Sequence, residues 1–372
     1  MATSQFTIYS SSDVNGPGPL FGATGSLNKV LEYCLISGSV SKVAAGWSHP
    51  IANSSSAAGD STVYAAYRPA SGSRMTLFVN DNATNVSATS TEAMLTGWEN
   101  MTSLCPAVAY NVNVGGGTGQ FPTPAQALTT GHVACRKSVT ADTTTQRYWV
   151  AFADAYTMYL CIQPGDAENT YNCIAFGDIF SFAGAADAYR CLLIGRGTEN
   201  AAGGYNVIYS GTTVVGYDNF AASVGYFISN GGLPEGYTYI PLTGHYMPRT
   251  SGGGGTSINV GKTFDFSKGV TSGYSGASNS YGLIPMYGFL QTPNGADNSL
   301  YLSPVTIHEP SSRGLRGRMR GFWFVAHSSA NFADGQTFAG GGDYAGKSFM
   351  IVKTDCTGGF FAMETSNTVE TN

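Results

Sequence analysis

The spacing of apolar residues near the start of the chain predicts one amphipathic helix. The apolar stripe of this helix consists of Leu27, Val30, Leu31, Cys34 and Leu35. These positions repeat at intervals of three and four residues, which places them on one face of a helix. Ser26 is suited to be the N-cap, and Gly38 is placed to end the helix. Almost nothing after residue 40 shows this period.

The rest of the chain shows the patterns of short strands separated by turns. In Arg74–Asn80, Met75, Leu77 and Val79 alternate with other residues and share one predicted face. Further strands are predicted at Thr62–Tyr67, Tyr148–Phe152, Thr157–Ile162, Tyr171–Phe176, Arg190–Ile194, Tyr205–Tyr209, Leu300–Ile307, Gly321–Ala326 and Ser348–Lys353. Asp154-Ala155 is expected to turn a hairpin. The predicted class is all-β with one N-terminal helix, built as β-sandwich or barrel domains.

A stretch rich in turn-forming residues suggests a division into two domains. Residues 195–204 (GRGTENAAGG) contain few large apolar side chains. We therefore expect an N-terminal mixed or β domain at 1–197 and a C-terminal β domain at 205–372. No repeat of 20–50 residues is visible, so a solenoid or propeller is not expected.

The composition is poor in charge and rich in small residues. Only 11% of residues are charged, the net charge is −5, and 49 residues are glycine. A typical soluble domain carries about 25% charged residues. Few charges suit close packing between subunits, where a charge would have to lose its water. This composition favours an assembly component over an enzyme, and the negative net charge gives no reason to expect a nucleic-acid partner.

Export and membrane insertion are not expected. The N-terminal residues MATSQFTIYSSSDVNG contain no basic region followed by an apolar stretch, and no apolar run reaches about 18 residues. The seven cysteines form no C-x-x-C pair, and their odd number leaves at least one unpaired within a monomer. Reduced, buried thiols are the first expectation, with disulfides formed after release from the cell as the alternative.

Candidate catalytic groups are sparse, and we predict no enzyme activity, no cofactor and no metal site. The five histidines show no metal-ligand spacing and are interpreted as structural. Asp154, Asp166, Glu168, Asp178 and Asp187 fall close together in sequence. A glycosidase needs two such carboxylates across a cleft. However, short acids at strand ends more often accept hydrogen bonds from backbone amides.

One cluster of cations stands out against the charge-poor background. The segment RGLRGRMR contains Arg313, Arg316, Arg318 and Arg320, and Trp323 follows it. The last three arginines alternate, so an extended strand would place them on one face. Three interpretations remain open: a solvated strand face, an interface strip that meets carboxylates of a neighbouring subunit, or a contact with nucleic-acid phosphate. Arginine suits the second because its guanidinium binds carboxylates with two hydrogen bonds.

Several segments resemble a family of virion structural proteins from tailed bacteriophages. They are Gly25–Leu35, Lys42–Trp47, Phe176–Asp178, Asp187–Cys191, Gly244–Tyr246, Tyr301–Pro304 and Leu315–Trp323. The resemblance covers most of the chain and implies assembly in the host cytoplasm and a place in the virion. It implies no catalytic or ligand-binding residues.

The sequence therefore predicts a structural virion protein that works through subunit interfaces. Its expected partners are copies of itself and other virion proteins. We expect an accessory position on the outer head or neck, as a decoration, turret or collar protein, because the chain shows neither heptads nor a fibre-like glycine period. The alternative is a tail-tip, baseplate or receptor-binding protein whose aromatic residues contact host-surface glycans.

Overall fold

A computed structural model gives the fold of this protein. It describes residues 2–51, 63–81, 92–104, 115–123, 132–138, 143–163, 172–196, 243–248, 256–257, 259–262, 302–308, 315–325, 333–352 and 360–372. Strands dominate these residues, and α-helix is confined to one short segment. The predicted all-β class with one N-terminal helix is confirmed.

The chain forms the following elements. The helix α1 (Ser26–Glu32) continues into a π-helical turn at Tyr33–Ser37. The strands are β1 (Thr3–Ser4), β2 (Thr7–Ser10), β3 (Tyr64–Tyr67), β4 (Thr76–Asn80), β5 (Glu92–Ser103), β6 (Gly116–Phe121), β7 (Val133–Arg136), β8 (Trp149–Ala153), β9 (Thr157–Ile162), β10 (Asn172–Asp178), β11 (Phe180–Ser181), β12 (Cys191–Arg196), β13 (Thr243–Met247), β14 (Thr256–Ser257), β15 (Asn259–Lys262), β16 (Leu302–His308), β17 (Leu315–Val325), β18 (Thr337–Ala339), β19 (Ser348–Val352), β20 (Phe360–Glu364) and β21 (Val369–Glu370).

Two large antiparallel sheets organise these strands. The first has twelve strands, with the order β2-β8-β9-β10-β12-β7-β5-β4-β3, while β6 pairs with β5 and β13 joins β12 to β14. The second has seven strands, with the order β15-β16-β17-β20-β19-β18, and β11 pairs with β17. A two-stranded ribbon joins β1 to β21 near the two ends of the chain.

The middle strands of the twelve-stranded sheet are buried on both faces. In β9, Leu160 and Ile162 pack with Leu27 and Leu31 of the helix, in the helix-side core. The alternate residues of β9, Tyr159 and Cys161, face a second core shared with the seven-stranded sheet, the inter-sheet core. Successive side chains of a strand point to opposite faces, so β9 contributes to both cores. The molecule thus has a helix layer and two sheets packed face to face.

The helix follows its predicted stripe but starts differently. All five stripe residues are buried in the helix-side core. The N-cap is Gly25, whose φ of 78° is a left-handed conformation that favours glycine. The predicted N-cap Ser26 was wrong by one residue, and its hydroxyl instead accepts a hydrogen bond from the amide of Phe21. Gly38, with φ of 62°, follows the end of the helix as predicted.

Most of the predicted strands that can be compared are found. The hairpin about Asp154-Ala155 is confirmed, because β8 and β9 pair on either side of it. Met75, Leu77 and Val79 share the helix-side core, as their alternation predicted. The strand predicted at 321–326 is the second half of a longer strand, β17, which also includes the three described arginines of the cation cluster. The strand predicted at 205–209 lies outside the described residues.

Sequence patterns missed β5, because Gly97 interrupts its apolar residues. The absence of a side chain at Gly97 makes room for Phe121 on the neighbouring strand, since an added Cβ would lie 2.2 Å from the Phe121 ring. A glycine that weakens the strand signal is therefore required by the packing.

The two predicted domains share sheets and a core. Their boundary at 197–205 lies outside the described residues. On either side of it, β12 pairs with β13 and β11 pairs with β17. Phe6 and Phe152 also lie in the same core as Ile307 and Phe361. The described parts of both halves therefore form one packed unit.

Candidate functional site

The predicted arginine strip lies on β17, and its described members pair with acids of the same chain. Arg316 lies 2.6 Å from Asp187, Arg320 lies 2.7 Å from Asp154, and Arg318 pairs with Glu370. Arg313 lies outside the described residues. The interface interpretation expected carboxylates of a neighbouring subunit, whereas the structure supplies carboxylates from within the chain. The solvated-face interpretation was wrong for Arg320, which is 2% exposed.

All three guanidinium nitrogens of Arg320 donate hydrogen bonds, and their acceptors lie on distant parts of the chain. Its two terminal nitrogens donate to both carboxylate oxygens of Asp154, at 3.1 and 2.7 Å. They also donate to the hydroxyls of Thr157 and Ser4, and Nε donates to the carbonyl of Glu370. Because Asp154 lies at the β8–β9 turn, this ion pair connects the two large sheets. A guanidinium that donates two hydrogen bonds to one carboxylate forms one of the stronger hydrogen-bonded contacts in proteins.

A bulge in β17 interrupts the simple alternation of the arginine strip. Thr306 of β16 opposes Arg318, yet Pro304 opposes Trp323, so β17 contains extra residues between these two pairs. Gly321 has φ of 60° at this point. Met319 and Phe322 consequently both face the inter-sheet core, although they are three residues apart. The expectation of one regular strip therefore fails at this irregularity.

The described acids of the sequence cluster have hydrogen-bond and ion-pair partners within the chain. Asp154 accepts hydrogen bonds from the amides of Tyr156 and Thr157, as expected for an acid at a strand end. Asp178 accepts from the amide and hydroxyl of Ser73 and pairs with Arg190 at 2.8 Å. Burial raises the pKa of Asp178 above its usual range, against the opposing effect of these hydrogen bonds and of Arg190.

Asp187, the third described acid, accepts from the hydroxyl of Ser181 and the amide of Tyr189 in addition to Arg316. Asp166 and Glu168 lie outside the described residues. Each described acid of the cluster thus accepts a hydrogen bond from at least one backbone amide and pairs with one arginine of the same chain.

The structure reveals a buried ion pair that the sequence analysis missed. Lys137 and Asp81 have side chains that are 0% exposed, and their charged atoms lie 2.5 Å apart. Asp81 also accepts a hydrogen bond from the amide of Asn28 in the first turn of α1. The helix is therefore capped by a residue on another segment, and Lys137 closes the arrangement by donating to the carbonyl of Ala23. Burial raises the pKa of Asp81, and the nearby Lys137 opposes this effect.

Trp323, the fifth predicted interface residue, lines a small cleft beside β17. The cleft has a volume of about 210 Å³. The Tyr344 ring meets Trp323 edge to face at 5.1 Å, and Arg318 lies over the ring of Phe180 at 4.7 Å. Lys347 pairs with the buried Glu364 at 2.8 Å. Aromatic rings beside paired charges form a surface that combines stacking with hydrogen bonding.

Apolar residues are exposed on two neighbouring turns at the other side of the twelve-stranded sheet. Val14 is 74% exposed, Val40 is fully exposed and Val43 is 81% exposed. Lys42 pairs with Asp13 at 2.6 Å and thereby ties the two turns together. We call these two turns, which expose Val14, Val40 and Val43, the valine turns. Exposed apolar residues on adjoining segments are typical of protein contacts.

The described residues contain no group of three or more histidine, cysteine or acidic side chains placed to hold a metal ion. His49 lies between the carbonyl of Ala66 and the carboxylate of Glu32. Burial lowers the pKa of His132 to about 4, so its ring is neutral at pH 7. Both ring nitrogens of His49 thus have hydrogen-bond partners, and His132 is buried.

Comparisons with known proteins complete the description of the site. Among the described residues, no helix is both long and apolar enough to cross a membrane. No protein-family model matches the chain, and a search of curated proteins finds no matching sequence.

Proposed function

We propose that this chain is a structural component of a tailed-phage virion. It acts through subunit interfaces as an accessory protein on the outer head or neck, in the manner of a decoration, turret or collar protein. The sequence segments that resemble virion structural proteins support the assignment to a particle. The observation that carries the binding role is the pair of valine turns, on a chain in which seven of the described lysines and arginines pair with acids of the same chain.

This distribution of charge and apolar surface suits a protein that is covered by neighbours. The arginines at 316, 318 and 320 do not offer unpaired charge to a partner, since each has an acid of this chain. The valine turns instead offer apolar surface that water would leave on association. Interface cores are depleted of charge in the same way.

Two charges placed on the valine turns test this proposal. We expect Val40→Asp together with Val43→Asp to lower the number of copies in assembled particles about tenfold or more, because each carboxylate would lose water on burial. Both sites are exposed, so the stability of the isolated chain should change by less than about 0.5 kcal/mol. Quantitative mass spectrometry of particles from a complemented host measures the copy number.

The matched control carries the same two charges on the edge strand β18. Thr337→Asp with Ala339→Asp also replaces exposed residues, and we expect this variant to enter particles at the normal level. Normal incorporation of the Val40/Val43 variant would contradict the assigned role of the valine turns.

The cleft beside Trp323 favours one second candidate, a receptor-binding protein of the tail that contacts host-surface glycans. Phe180 and Tyr344 supply ring faces, and the paired Arg318 and Lys347 supply hydrogen-bond donors. A volume of about 210 Å³ lies below the range of about 300–1,000 Å³ for drug-sized ligands. The cleft would therefore take one sugar ring of a longer chain.

An array of bacterial surface polysaccharides tests the second candidate. We expect binding that Tyr344→Ala abolishes and that Tyr148→Ala preserves, because Tyr148 is an exposed tyrosine outside the cleft, directly before β8 of the other sheet. Absence of binding to every glycan, or equal loss in both variants, would remove this candidate.

A further inference from the structure

Two cysteines lie directly opposite each other in the middle of the fold. Cys161, next to the last residue of β9, opposes Cys173, next to the first residue of β10. Both face the inter-sheet core and are only 2% and 4% exposed. Their sulfur atoms are 2.6 Å apart and point at each other. Neither sulfur has to leave the core to reach the other.

We propose that Cys161 and Cys173 form a cross-strand disulfide once the chain leaves a reducing environment. Directly opposed residues of antiparallel strands have Cα atoms about 4.5–5.5 Å apart. A disulfide accepts Cα separations of about 4.4–6.8 Å. The bond therefore needs no movement of the backbone, and the register of β9 and β10 carries the inference.

The other described cysteines are separated from this pair by the sheet itself. Cys34, Cys135 and Cys191 belong to the helix-side core, on the opposite face. The alternation of side chains along each strand thus selects one partner for Cys161 among the described cysteines. Cys105 and Cys356 lie outside the described residues.

The oxidation is a thiol–disulfide exchange with a small disulfide such as oxidised glutathione. The thiolate of one cysteine attacks a glutathione sulfur, which forms a mixed disulfide and releases one glutathione thiolate. The second cysteine, as a thiolate, then attacks the protein sulfur of that mixed disulfide and releases the second glutathione. The two cysteines lose two protons and two electrons, and oxidised glutathione becomes two reduced molecules.

Such a bond would link β9 covalently to β10 within the twelve-stranded sheet. It would close the chain between residues 161 and 173 and so restrict the unfolded state. Its formation outside the host cell rests on the proposed virion function, whereas the geometry of the pair does not. A test on purified protein can therefore contradict the disulfide without contradicting the virion assignment.

The experiment counts free thiols after oxidation. The full chain is purified under reducing conditions and treated with oxidised glutathione, both as the native protein and during refolding from denaturant. Glutathione is removed, the chain is alkylated with iodoacetamide in denaturant, and peptide mapping assigns each cysteine. We expect one intramolecular link, between Cys161 and Cys173, with the midpoint of thermal unfolding raised by several degrees. Dithiothreitol should reverse both effects.

Two variants make the result specific. Cys161→Ala with Cys173→Ala should show neither the link nor the rise in the unfolding midpoint. Cys191→Ala, a buried cysteine of the other core, should retain both. Seven alkylated cysteines after both treatments would overturn the proposal, and so would a link from either cysteine to any other residue.

Discussion

Arg320→Met is expected to lower the free energy of unfolding by about 3–5 kcal/mol, the usual cost of breaking a buried ion pair from one side. The substitution removes the cation and leaves the carboxylate of Asp154 buried, with side-chain exposure of 3%. Backbone amides and a serine hydroxyl remain as its partners, but no positive charge does. Urea unfolding at neutral pH measures the change.

Arg318→Met provides the matched control, on the same strand and two residues away. Its side chain is 26% exposed and pairs with Glu370, which is 34% exposed. Surface pairs contribute only about 0–1 kcal/mol. If Arg320→Met does not accumulate as folded protein while Arg318→Met folds normally, the expected large loss of stability is also confirmed. Equal small losses in both variants would show that Arg320 does not join the sheets as described.

Lys137→Met is expected to destabilise the fold by a similar amount, about 3–5 kcal/mol at pH 8. The variant leaves Asp81 without its cation in a site with 0% exposure. Adding Asp81→Asn should recover part of this loss, since a neutral amide retains an oxygen that can accept from the amide of Asn28. The free energies of unfolding of the two single variants and the double variant give the coupling between the two sites.

The cost of Lys137→Met should depend on pH in a defined direction. Burial already raises the pKa of Asp81, and removal of Lys137 takes away the group that opposes this rise. A raised native pKa favours the protonated acid, so stability is retained at low pH and lost as pH rises through the native value. The deficit against the unmodified protein should therefore be smaller at pH 5 than at pH 8. A deficit that grows on acidification would contradict the account.

Local patterns were sufficient to predict several elements of this fold. The stripe from Leu27 to Leu35 predicted the helix because its period is a property of the local chain. Thr157–Ile162 was predicted with its observed bounds, since it has β-branched and aromatic residues and a turn beside it. Asp154 was expected at a turn because Asp154-Ala155 lies between two strand-like segments.

The contacts that organise the site depend on residues far apart in sequence. Arg320 and Asp154 are 166 positions apart, and Arg316 and Asp187 are 129 apart. No local pattern indicates such a pairing, so the arginines could be read equally well as solvated or as an interface. The capping of α1 by Asp81 was missed for the same reason, because sequence-based capping rules consider only the preceding residues.

Quantification of this chain in separated heads and tails of purified particles tests the central claim most directly. The account predicts that mass spectrometry finds tens to hundreds of copies in the head fraction, or a small symmetric number at the neck. A few copies confined to the tail tip would favour the receptor-binding candidate instead. Absence of the chain from both fractions would contradict the assignment to the virion.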